Sequence, residues 1–87
     1  MVTAMESDTD TQARALFNRA IRASPIDAHL RKSFATLSRH RANGGFDGYA
    51  ALRLLYNNTR TLTPNGTAPH IRRAMAEMLF LHWKRGL

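Results

Sequence analysis

The chain has no cysteine, only six acidic residues and no long apolar run. Without thiols there is no disulfide framework, no thiolate nucleophile and no cysteine-based zinc site, and the absence fits a reducing compartment. No stretch approaches the roughly 18 apolar residues that cross a bilayer. Residues 1–10 also lack the apolar segment of a secretory signal. These absences read as a soluble, cytoplasmic protein without a membrane partner.

The shortage of acids says more. Six Asp and Glu stand against thirteen Lys and Arg, for a net charge of +7. Three of the six acids, Glu6, Asp8 and Asp10, precede every cation. From residue 11 onward thirteen cations face Asp27, Asp47 and Glu77, an excess of ten. Eleven of the thirteen are arginine, whose planar fork suits bidentate contact with phosphate or carboxylate. Alanine is abundant too, with thirteen copies. Joint Ala and Arg enrichment is what a GC-rich genome produces, which accounts for Arg over Lys. It does not account for the missing acids.

What is present reads as one small all-α domain. Eighty-seven residues leave no room for a second core. Bulky apolar residues recur from Leu16 to Trp83, enough for a chain of this size to fold alone. The expected order is a disordered acidic N-terminal tail at residues 1–8, then a four-helix domain at 9–87. Its helices fall at about residues 10–23, 25–42, 47–58 and 68–85.

Thr9 and Gln12 fit a capping box, followed by an apolar face of Ala13, Leu16, Phe17, Ala20 and Ile21. Ser24-Pro25 predicts a second helix start, with Asp27 three residues on. Ile26, Leu30, Phe34 and Leu37 give that helix its inner face. Asn43-Gly44-Gly45 is a stop signal, and Asp47 is the expected cap of helix three. There Tyr49, Leu52, Leu55 and Tyr56 are expected to face inward. Residues 59–67, rich in Thr and centred on Pro64-Asn65-Gly66, read as a loop. Thr67 is the expected cap of helix four, and Gly86 its stop. The segment from Met78 to Trp83 is apolar around most of its circumference, so helix four is expected at the centre of the bundle or partly against a second subunit.

No arrangement points to catalysis, a cofactor or a metal. None of His29, His40, His70 and His82 stands three or four residues from another His or an acid, so no helical chelate is offered. The body has too few carboxylates for a two-acid mechanism, because Asp27 and Asp47 read as helix-start residues. Gly44-Gly45 is followed by Phe46-Asp47, unlike a phosphate-cradling loop.

Binding remains. A strongly basic domain carries the electrostatic footprint of a nucleic-acid binder. Helices two and three have roughly the spacing of a helix-turn-helix, with Arg53, Asn57, Asn58 and Arg60 on the would-be reading helix. The length of helix two and the many apolar residues of helix three argue against that motif. Several cations have ordinary local reasons: Arg22, Arg39, Arg41, Arg60, Lys84 and Arg85 fall near helix C-termini. Asp10 with Arg14 and Asp27 with Arg31 are pairs four apart.

The candidate partner-binding set is Arg19, Lys32, Arg39, Arg53, Arg72 and Arg73. Arg72 is singled out because it stands beside Arg73 at a helix start, where the dipole disfavours cations and favours anions. Phe80 and Trp83 are the candidate interface residues of a homodimer. The expected function is non-catalytic binding of nucleic acid, DNA or RNA, in a small regulator. The alternative is a protein-interaction module or inhibitor, antitoxin-like or phage-type, on an acidic protein surface.

Overall fold

Among the described residues four helices form in sequence order: α1 at Ala4–Arg22, α2 at Ala28–Ala42, α3 at Gly48–Leu62 and α4 at Pro69–Lys84. The computed structural model describes residues 4–23 and 26–86, with side chains from residue 8 onward. Among the described residues there is no strand. The all-α, four-helix expectation is met, and the differences lie at the helix ends.

Helix α1 begins six residues earlier than expected. Ala, Met and Glu are good helix formers, and acids near a helix start complement its dipole. Thr9 is therefore inside the helix rather than its cap. Of the expected flexible tail, residues 1–3 lie outside the described residues and 4–8 continue α1. The Asp10–Arg14 pair forms at 3.5 Å on the exposed side, a contact contributing about 0.3–0.5 kcal/mol.

Helix α2 starts three residues later than expected, and Ser24-Pro25 lie outside the described residues. Asp27 is the cap, accepting bonds from the backbone N–H groups of His29 at 2.8 Å and Leu30 at 3.2 Å. That leaves Ile26 outside the helix, packed on the core. The expected pair of Asp27 with Arg31 does not form. The Arg31 guanidinium donates instead to the Ile26 carbonyl at 3.2 Å. At the far end Gly44 takes a positive φ of 77°, and the Gly45 N–H donates to the His40 carbonyl. This is the expected glycine stop.

Asp47 caps α3 by accepting from the Tyr49 N–H at 3.1 Å. The helix then runs four residues past the expected end. Asn and Thr usually compete with helix backbone for hydrogen bonds; here they are turned onto their own helix. Thr59 Oγ1 donates to the Tyr56 carbonyl, Thr61 Oγ1 to that of Asn58, and Thr63 Oγ1 to that of Thr59. Asn58 Nδ2 donates to the Leu54 carbonyl and to Ser33 Oγ on α2. Residues 59–62 of the expected loop are thus the last turn of a helix, while 63–67 form the expected connection.

Thr67 does not cap α4. Its hydroxyl and N–H both donate to the Pro64 carbonyl, closing the turn through Gly66. Ala68 occupies the cap position without a side-chain bond, and Pro69 follows at the first helical position, where its missing N–H is no loss.

Helix α4 is central. It packs against α1 and α3, and touches α2 through His82, 6.1 Å from Phe34, and through Trp83 Nε1, which donates to Ser38 Oγ. Ile71, Met75, Ala76, Leu79 and Trp83 are buried along it. They meet Ala13 and Ala20 of α1, Leu30, Phe34 and Leu37 of α2, and Ala51 and Leu55 of α3. Every buried side-chain polar atom among the described residues has a hydrogen-bond partner.

Candidate functional site

The cations divide by what they touch. Lys32 and Arg39 are exposed on α2, seven residues apart and so on one face, about 10 Å apart along the axis. Helix α2 contains Arg31, Lys32, Arg39 and Arg41 and no acid. Arg19 is exposed beside a recess of about 490 Å³ that also includes Asp27, Thr61 and Pro64. The Asp27 carboxylate there makes the recess less attractive to an anion.

Arg53 of α3 and Arg73 of α4 come together. Both line a groove of about 510 Å³ between the two helices, with Tyr49, Leu52, Tyr56, Ala76 and Glu77. The helical period explains the grouping. Residues 49, 52, 53 and 56 fall within one arc of α3, and 73, 76 and 77 within one arc of α4.

Arg72 is placed otherwise. It is half-buried, and its Nε donates to Thr59 Oγ1 at 2.9 Å. Its Nη2 lies 3.4 Å from the Tyr56 carbonyl, and its Cζ stands 4.4 Å from the centroid of the Tyr56 ring. The guanidinium therefore joins α4 to α3 and satisfies a buried hydroxyl. Its position near a helix start, an anion signal in the sequence, has a structural explanation across the helix pair.

Trp83 does not offer an interface either, being only 2% exposed. The α2–α3 loop folds Phe46 back to stack on it at 5.4 Å, and Arg41 lies 4.4 Å from its centroid. Phe80 belongs to the same cluster, 6.2 Å from Phe46, and is partly buried. In the Met78–Trp83 segment the side chain that faces out is Leu81, 46% exposed. His82 sits between Phe17 and Phe34, a packed histidine.

Tyr49 is the residue that sequence reading misses. Expected inside, it is 74% exposed at the mouth of the α3–α4 groove. The buried stripe of α3 is Ala51, Leu55 and Thr59, which places Tyr49 about 160° away from Ala51. The signal is the alanine: a small residue at the stripe's start is easily passed over for a large aromatic. Of the four residues expected on a reading helix, Arg53, Asn57 and Arg60 are exposed, while Asn58 is turned inward to Ser33.

No group of three or more His, Asp or Glu is gathered for a metal among the described residues, and none of their helices is long and apolar enough to cross a membrane. No protein-family model matches the chain, and no curated protein or solved structure is significantly similar to it.

Proposed function

We propose that this chain is a non-catalytic nucleic-acid-binding domain, a small regulator whose phosphate contacts are made by Lys32, Arg39, Arg53 and Arg73. One observation carries the reading. Of the three acids after residue 11, Asp27 and Asp47 hold helix starts, and Glu77 is left as counter-charge beside Arg53 and Arg73 in the groove; Asp10 holds Arg14 in the one ion pair among the described residues. Between residues 28 and 76 the sole acid is Asp47. The exposed cations of α2 and α3 therefore outnumber their counter-charge, and a polyanion supplies the balance while releasing its own condensed ions.

The test is binding to labelled duplex and single-stranded oligonucleotides across a salt series. With four phosphates neutralised, duplex affinity should fall on the order of a hundredfold between about 50 and 200 mM salt. No binding at the lowest salt would sink the reading.

A second reading, an acidic protein partner, draws support from Leu81, exposed at 46% on α4. An apolar anchor of that kind suits a protein interface or a homodimer contact better than a nucleic-acid backbone. Sedimentation of the wild type and of Leu81→Glu tests the homodimer contact: a dimer lost on substitution would put that contact on this face, and an unchanged state would remove it.

A further inference from the structure

The α3–α4 groove combines three chemistries in one cleft. Arg53 and Arg73 bring two guanidinium groups, Tyr49 and Tyr56 bring two aromatic rings, and Glu77 brings one carboxylate. Its volume of about 510 Å³ falls inside the range of about 300–1,000 Å³ typical of clefts that hold small ligands. Ala76, buried against the core, helps keep the floor open because its methyl group is too small to fill it.

The two tyrosines differ. Tyr56 already carries Arg72 against its ring. Tyr49 is 74% exposed and has neither an aromatic neighbour nor a side-chain hydrogen bond among the described residues. An exposed ring beside two unpaired guanidinium groups suits a planar group joined to an anion. Glu77 adds an acceptor, and like Arg53 and Arg73 it makes no ion pair among the described residues. A carboxylate repels phosphate, so it belongs at the other end of the ligand, where a ring N–H donates.

We infer that this groove holds one unpaired nucleotide of a single strand. Its base stacks on Tyr49, its phosphates meet Arg53 and Arg73, and its hydrogen-bonding edge faces Glu77. A duplex cannot use the groove in this way, because its base faces are stacked and its pairing edges occupied. The assignment rests on the nucleic-acid reading above and names the strand type and the residues that select it. Guanine is the preferred base, since N1–H and N2–H form two adjacent donors for a carboxylate where thymine offers one.

The experiment is fluorescence anisotropy at low salt with a short oligothymidylate, the same strand with one central guanine, and a duplex of equal length. Tyr49→Ala should weaken single-strand binding about tenfold and leave the duplex unchanged, while Tyr49→Phe should match the wild type. Arg53→Ala with Arg73→Ala should weaken single-strand binding and make its salt dependence shallower. The slope should drop by about 0.7 for each phosphate that is no longer neutralised. Glu77→Gln should erase the preference for the guanine-bearing strand.

If the wild type binds single strands and Tyr49→Ala binds them equally well, the groove assignment falls while the nucleic-acid reading stands. Equal wild-type affinity for the two single strands overturns the role of Glu77. Absence of wild-type binding to every probe overturns both proposals together. Because Tyr49 lies outside the core, its replacement leaves the fold in place, which circular dichroism checks directly.

Discussion

At each end of α4 a guanidinium lies over an aromatic ring, 4.4 Å from its centroid in both cases. At the start of the helix Arg72 covers Tyr56, and near its end Arg41 of α2 covers Trp83. The surroundings differ. Arg72 is half-buried and donates to Thr59 Oγ1, a hydroxyl with no solvent exposure that itself donates to the Tyr56 carbonyl. There the cation is part of a closed polar network.

Arg41 is exposed and makes no side-chain hydrogen bond among the described residues. The structural element at that end is the ring: Trp83 is anchored by Ser38 and flanked by Phe46 and Phe80. A shared distance therefore conceals two roles. Which partner is desolvated decides what the contact contributes.

Substitutions separate the two ends, beginning with the largest effect. Trp83→Ala removes a buried indole and should cost about 3–5 kcal/mol, read as a lowered urea midpoint. For a chain of this size that is a large part of the total stability. A loss below about 1 kcal/mol would show that the Phe46 end is not an organised core.

Arg72→Ala comes next, at about 1.5–3 kcal/mol, because it removes a charged donor from a buried acceptor. Arg72→Lys should restore little, since a point charge cannot both stack on the ring and reach the hydroxyl. A double-mutant cycle of Arg72→Ala with Thr59→Val sharpens this further: a coupling of about 0.5–3 kcal/mol is expected, and strict additivity would break the network description.

Arg41→Ala should cost only about 0.5–1 kcal/mol, the range of an exposed cation over a ring. A loss equal to that of Arg72→Ala would erase the distinction between the ends. The smallest effect belongs to Arg73→Ala, one residue from Arg72, whose stability should stay within about 0.5 kcal/mol of the wild type. Under the proposed function its effect emerges in nucleic-acid affinity instead.

Much of the helical framework is legible in the sequence where local rules act alone. The α1 face of Ala13, Leu16, Phe17, Ala20 and Ile21 meets the core as its spacing implies. Asp47 caps α3, and Gly44 and Gly86 end helices with φ of 77° and 90°. These depend on a residue and its neighbours within a turn. The errors share a different cause. Residues 59–62 look like a loop because Thr side chains compete with the backbone, and the contacts of Asn58 with Ser33 and of Thr59 with Arg72 carry the helix through them. Trp83 looks like an interface anchor until the loop bearing Phe46 closes over it.

The candidate site is partly legible. Arg53 and Arg73 both stand out as cations, yet nothing in the order of residues reveals that they face one another across a groove. Tyr49 reads as a core residue because Ala51 and Thr59, small and polar, are weak markers of a buried stripe. Arg72 stands out for a reason that its contacts remove.

The sequence by itself determined the all-α class, most of the core-facing positions, and the surplus of cations over acids after residue 10. Those follow from composition and from periodicity along one helix. Only the tertiary structure decided which cations are available. Arg72 and Arg73 are adjacent in the chain and differ by about 100° around α4. That rotation turns one against Thr59 and Tyr56 and leaves the other beside the open groove, because the neighbour that engages an arginine belongs to another helix.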